Sequence, residues 1–200
     1  SIRSNDASKV YDGYILENGS LCSDGLNQTL LINDQEVEMI KGLELELKQR
    51  ALPDLLFFGH RLGSISLFTK NRNSGISPDR LYHFLKSHLR DHPDYHNLHI
   101  THSDVAVDII PKGHSKWTAI KSLCKEHKIV AVADSCNDWD FLANAELSFV
   151  PANCSPEIES EFFRKGFLLR PLDLFGEEMS IRTVFKSSGK NTIGVIEILN

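Results

Sequence analysis

At 200 residues the chain is long enough for one or two domains with a proper core. Hydrophobic residues make up 41% and charged residues 24%, ordinary for a soluble protein, and no apolar run approaches the ~20 residues of a membrane-spanning helix. A net charge of −5 removes any electrostatic case for nucleic acid or an anionic membrane as partner.

The opening residues, Ser1-Ile2-Arg3-Ser4-Asn5-Asp6, do not resemble a secretion signal. Tyr14 to Cys22 reads as an apolar strand reaching Asn18-Gly19 and resuming apolar, a tight-turn pattern. Leu30-Leu31-Ile32 reads as a further short strand. From Asp34 to Leu52, apolar Val37, Ile40, Leu43 and Leu47 fall at helical spacing until Pro53 breaks the pattern. Ser64 to Thr69 alternates as a strand. Pro78 then suits the first position of a helix carrying Leu81, Phe84, Leu85 and Leu89. Asn97 to His102 and Val105 to Ile110 read as two more strands. Helix, strand, helix, strand, strand makes a small α+β module.

His92, His96, His99 and His102 straddle a loop and a strand, so they do not share the facing geometry zinc requires. Arg61, Lys70 and Arg72, around the first strand of the module, are candidates for touching a sugar or phosphate, although solvated charge is the weightier reading. The four cysteines, Cys22, Cys124, Cys136 and Cys154, show no metal-site spacing and read as reduced thiols of a cytoplasmic protein.

The stretch from Asp108 to Asn153 is where chemistry concentrates. Ser115 is placed to cap a helix opened by Lys116, with Ala119, Ile120 and Leu123 on its apolar stripe. Lysine in a first helical turn is a compact point charge suited to phosphate, and an ordinary surface lysine is the competing reading. Lys128 to Val132 is apolar with no polar alternation, so it is expected to be a parallel strand buried on both sides. Ala133-Asp134-Ser135-Cys136-Asn137-Asp138 follows, placing two carboxylates at i and i+4 where open α/β sheets bind ligands. Hard oxygen ligands so arranged suit Mg²⁺, against the alternative of a solvated turn with incidental acids. Trp139 to Ala145 reads as a helix. Glu146 to Val150 reads as a strand and Pro156 to Arg164 as a helix. Phe167 to Leu169 is an expected edge strand, and Thr192 to Leu199 a final helix. Gly189-Lys190 is no phosphate-binding loop, because the spaced upstream glycine is missing.

Asp108-x-x-Pro111-x-x-x-x-Lys116, then ADSCNDWDFL and PANCSPE, resembles the second half of a haloacid-dehalogenase superfamily phosphatase. The Cof-type and sucrose-phosphate-phosphatase-like branch is the nearest pattern. Two positions depart from it: Ala133 stands where glycine is usual, and Trp117 where glycine follows the lysine. The resemblance implies an α/β fold: a parallel, Rossmann-like core over residues 1–32 and 109–200, with an α+β cap inserted over residues 33–108. It implies Mg²⁺ as cofactor, held by Asp134 and Asp138. It further implies phosphate binding by Lys116 and Asn137, with Lys116, Asn137 and both aspartates forming the catalytic set.

The family's D-x-D-G-[TS] nucleophile motif is missing from these 200 residues. Covalent aspartyl-phosphate chemistry needs that carboxylate in line with phosphorus. The core is therefore expected to be incomplete on its N-terminal side, with an uncovered slot in the sheet where the nucleophile strand would lie. The implied function is a phosphatase for a small phosphorylated metabolite, with a sugar phosphate foremost. Its nucleophile would come from a missing N-terminal segment. A second reading is a phosphatase-like regulatory or binding domain without turnover, fused to a larger protein such as a glycosyltransferase.

Overall fold

The structure is a computed structural model that describes residues 13–69, 78–103, 105–176 and 182–199. Tyr14–Leu16 (β1), Leu21–Ser23 (β2) and Gln28–Leu30 (β3) form a small antiparallel sheet in that order. Glu17, Asn18 and Gly19 between the first two strands all have positive φ, so the tight turn expected at Asn18-Gly19 is present. The third strand lies two residues earlier than the sequence suggested.

Asn33 starts the first long helix through a reciprocal capping box. Its side chain accepts from the Glu36 N–H at 3.0 Å, and the Glu36 carboxylate accepts from the Asn33 N–H at 2.9 Å. This helix, α1 (Asp34–Lys48), buries Val37, Ile40, Leu43 and Leu47 along one stripe. Next come β4 (Leu55–Gly59) and β5 (Ile65–Thr69), then α2 (Pro78–His88), which opens on the expected proline. β6 (Leu98–His102) and β7 (Ala106–Pro111) complete an antiparallel sheet of order β4-β5-β7-β6. β4 escapes the sequence reading because it is half-exposed and does not alternate cleanly. Ile65, Leu67, Val107 and Ile109 face Ile40, Leu43, Leu47, Leu81 and Leu85 in one core. Lys116–Leu123 (α3) follows, opening on Lys116 as expected. The expected boundary between residues 108 and 109 falls inside β7, which pairs with β5 and β6 along its length.

The chain forms two compact units, Ser1–Leu123 and Cys124–Asn200. The second unit holds β8 (Val130–Val132), α4 (Trp139–Asn144), β9 (Leu147–Val150) and α5 (Pro156–Arg164). It continues with β10 (Leu168–Pro171), β11 (Thr183–Lys186) and α6 (Asn191–Leu199). Its four strands are all parallel, in the order β10-β11-β9-β8. The chain is thus a mixed α/β fold with a parallel sheet. Ala131, Leu142, Val150, Ile158, Phe162 and Val184 form the core, with Trp139 and Phe167 packed against it.

One expectation fails within this sheet. β8 is not buried on both sides: Ala131 is, but Val130 is 50% exposed. The reason is position, because β8 is an edge strand paired only with β9 among the described residues. An apolar run without alternation normally marks an interior parallel strand. Among the described residues the flank facing away from β9 carries no strand.

Candidate active site

Asp134, Asn137 and Asp138 lie in the loop that leaves β8 at its carboxyl end. The Ala133 N–H donates to the Phe149 carbonyl at 3.2 Å, prolonging the β8–β9 ladder by one bond. Ala133 has no positive φ, so the methyl in place of glycine meets no left-handed backbone. It packs instead against the core of the second unit. The Asp134 carbonyl then accepts from the Ser155 N–H at 2.7 Å, which ties the loop to the residue capping α5. The Asp134 side chain is exposed, whereas Asp138 is buried. The Ser135 hydroxyl is shared between Asn137 Oδ1 and Asp138 Oδ2, the latter at 3.3 Å. A 3-10 turn over Cys136–Asp138 brings these side chains back toward the strand end and leads into α4.

As a metal donor set, this loop supplies two hard carboxylates and an amide. Mg²⁺ usually takes one or two carboxylates and completes its shell with water and substrate phosphate, so the chemistry of the set fits that ion. Among the described residues no three His, Cys, Asp or Glu side chains form a group able to hold a metal. His92 instead pairs with Glu46 at 3.2 Å, and His102 with Asp79 at 3.4 Å.

Lys116 belongs to the first unit, at the start of α3, and is half-buried. Ser115 caps this helix as its sequence position suggests: its hydroxyl accepts from the Thr118 N–H at 3.1 Å. The turn at Gly19 fixes where α3 begins. A Cβ on Gly19 would stand 2.1 Å from the Ser115 carbonyl oxygen, so only glycine permits this approach. The Glu17 carboxylate, two residues earlier, accepts from the backbone N–H groups of Leu62 at 3.0 Å and Gly63 at 2.8 Å. His114 Nε2 lies 3.1 Å from Glu36, joining the loop before α3 to the first turn of α1. Trp117, the second departure from the family pattern, is half-buried and has the Lys121 ammonium over its ring at 5.4 Å.

Of the other cationic candidates, Lys70 and Arg72 lie outside the described residues. Arg61 is exposed, and its Nε donates to the Ser66 hydroxyl at 3.1 Å. Ser66 in turn donates to buried Asp108, so a polar chain crosses the face of the antiparallel sheet opposite Ile65 and Leu67. Sequence reasoning missed it, although Ser66 and Asp108 both break apolar runs in facing strands.

A second missed group lies in the parallel unit. Lys186, at the end of β11, donates to Glu159 of α5, and the Cys154 thiol donates to the same carboxylate at 3.3 Å. The Lys186 bond holds Glu159 below the usual carboxylate range and raises Lys186 in return. Burial, then the Glu159 bond, pushes the Cys154 thiol up to about 11. Burial also raises Cys136, with Glu157 and Glu161 adding to it, which opposes thiolate chemistry in the acidic loop. All four cysteines are free.

Residues 68–161 match the family of haloacid dehalogenase-like hydrolases. Over 95 residues, 44% of this chain, the sequence is 27% identical to a phosphoglycolate phosphatase of Staphylothermus marinus. The match covers 39% of that protein's length. Among solved structures, a Thermoplasma acidophilum protein is 15% identical with a TM-score of 0.57, covering 99% of this chain and 77% of that one. The C-terminal domain of a Candida albicans trehalose synthase regulatory protein is 13% identical with a TM-score of 0.50, covering 98% and 78%. A trehalose-6-phosphate phosphatase related protein is 14% identical with a TM-score of 0.51, covering 70% and 61%. At these identities the solved structures share the fold.

Proposed function

We propose that this haloacid dehalogenase-like chain is the rear part of a Mg²⁺-dependent phosphatase for a small phosphorylated metabolite, a sugar phosphate foremost. The observation that carries the reading is the loop from Ala133 to Asp138 at the carboxyl end of β8, with one exposed and one buried carboxylate. Asp134 is the direct metal ligand in this reading, and buried Asp138, held by Ser135, is the supporting one. Held by Asp134 and Asp138, Mg²⁺ would supply positive charge to offset the negative charge that develops on a transferring phosphoryl group. Lys116 stabilises the transferring phosphoryl oxygens, and Asn137 orients the phosphate.

The nucleophilic aspartate and the general acid would enter from residues outside this chain. The flank of β8 that faces away from β9 offers the place for their strand. The antiparallel module within residues 33–108 is the cap, which excludes water and selects the leaving group. Free thiols throughout suit a reducing, cytoplasmic setting. A domain without turnover draws no support from the loop, because both carboxylates are present.

The test is thermal. Millimolar Mg²⁺ should raise the melting temperature of the chain by mass action, Asp134→Asn should abolish the rise, and Asp138→Asn should weaken it less. Equal responses in wild type and Asp134→Asn would remove the metal assignment and most of the case for phosphoryl transfer.

A further inference from the structure

The second unit carries a cavity of about 490 Å³ at the carboxyl ends of β10 and β11, lined by residues 169–173, 186–188 and Glu197. That volume is in the range of roughly 300–1,000 Å³ typical of small-molecule sites. The carboxyl ends of parallel strands are also where such sheets bind ligands. None of the residues assigned above to phosphoryl transfer lines it.

The charges in the wall are not equivalent. The Glu197 carboxylate is committed to its own loop: it accepts from the Ser188 N–H at 3.2 Å, the Ser188 hydroxyl at 3.0 Å and the Gly189 N–H at 2.8 Å. Those bonds hold it below the usual carboxylate range. Close packing keeps the loop there, since a Cβ on Gly194 of α6 would stand 2.3 Å from the Gly189 carbonyl oxygen. Lys186 is committed to Glu159. Asp173 is exposed. Arg170 differs from all of these. It is half-buried and has no partner among the described residues. A guanidinium offers five N–H donors in a planar fork, so partial burial without an acceptor leaves a receptor for a two-oxygen anion. Leu169, Pro171 and Leu172 beside it give an apolar wall for a carbon skeleton.

We propose that this cavity binds a small organic oxyanion, a carboxylate or a phosphate monoester, with Arg170 gripping the anionic end. The skeleton lies against Pro171 and Leu172, and the Ser188 oxygen, whose proton goes to Glu197, can accept from a polar substituent. The Lys186–Glu159–Cys154 chain runs from the cavity toward the core of the parallel unit, so occupancy competes for Lys186 and is felt at Cys154.

Titration of the ¹⁵N-labelled chain with glycerate, with glycerol 3-phosphate and with neutral glycerol tests this. Saturable shifts of the Leu169, Arg170, Leu172 and Ser188 amides are expected with at least one anion and not with glycerol. The anion that works identifies the carboxylate or the phosphate as the recognised group. Arg170→Gln should weaken that binding at least tenfold, Arg170→Lys less, and Arg164→Gln, on the exposed face of α5, not at all. Phosphate binding at the acidic loop would shift Asp134 to Asp138 instead, which separates the two sites. Absence of saturable shifts with both anions, or undiminished affinity in a folded Arg170→Gln and Arg170→Lys, overturns the proposal.

Discussion

The antiparallel sheet of the first unit and the parallel sheet of the second use the same number of strands for different ends. In the first, Ile65 and Leu67 of β5 and Val107 and Ile109 of β7 share one core with α1 and α2, and β7 is buried along its whole length. Its opposite face buries the Ser66–Asp108 pair beside Ile110. In the second, strands of three or four residues stop early and hand over to loops. Asp134, Cys154 and Lys186 all stand just past or at strand ends there, and among the described residues β8 pairs on one flank only. The comparison teaches that the first unit spends its sequence on packing, and the second on presenting side chains at one edge.

Core truncation should break the comparison most strongly if it is wrong. Phe162 is fully buried and lies 5.5 Å, centroid to centroid, from Trp139 and 6.0 Å from Phe167. Phe162→Ala should destabilise the second unit by about 3–5 kcal/mol, and Leu67→Ala the first by about 2–5 kcal/mol. Trp117 and Trp139, the chain's two tryptophans, report one unit each. If the cores are separate, single-tryptophan variants followed by fluorescence show Phe162→Ala shifting the Trp139 transition and sparing that of Trp117. Equal shifts of both would mean one cooperative core.

Backbone substitutions come next in size. Gly19→Ala must accept a φ of +101° and a Cβ 2.1 Å from the Ser115 carbonyl oxygen. The left-handed conformation alone costs about 1–2 kcal/mol, so the total loss should exceed that. Denaturant unfolding followed at Trp117 measures it, and a loss under half of that figure would show that the turn and α3 do not pack as described. Glu17→Gln keeps the shape of the side chain but removes the charge from its bonds to Leu62 and Gly63. A loss of about 1 kcal/mol is expected, since charged acceptors add to a hydrogen bond roughly that much over neutral ones. No change in the midpoint of urea unfolding would count against the Glu17 anchor.

Much of this architecture was legible because local rules act on neighbouring residues. Val37, Ile40, Leu43 and Leu47 announce α1 by their spacing, Pro78 the start of α2, and Asn18-Gly19 a tight turn, all from residues close in sequence. The acidic loop was readable for the same reason, since its donors sit within five positions. What stayed hidden depends on partners distant in sequence. The edge position of β8 depends on what pairs beside it, which composition cannot report. The Glu159–Lys186 bond joins residues 27 apart, and Ser66–Asp108 joins residues 42 apart. β11 went unread because Thr183–Lys186 is too short to show a period, although that strand is what places Lys186 at the carboxyl end of the sheet.

The smallest effect separates the two units by pH. Cys154 is buried and its thiol is pushed up to about 11, from an ordinary value near 9.0. Burial disfavours the thiolate first, and the neighbouring Glu159 carboxylate accepts the proton-bearing bond. Between those two pH values the unfolded chain has lost this proton and the folded chain still holds it. Folding stability therefore falls as pH rises through that window, because the unfolded state binds fewer protons there. Below pH 9 the contribution is fully present. The expected outcome is a gentle alkaline decline in the stability of the second unit, followed at Trp139, that Cys154→Ala flattens. The transition at Trp117 should not respond to that substitution, because the thiol lies outside its unit. A decline of the same slope in Cys154→Ala would assign the alkaline effect to other groups and remove Cys154 from the account.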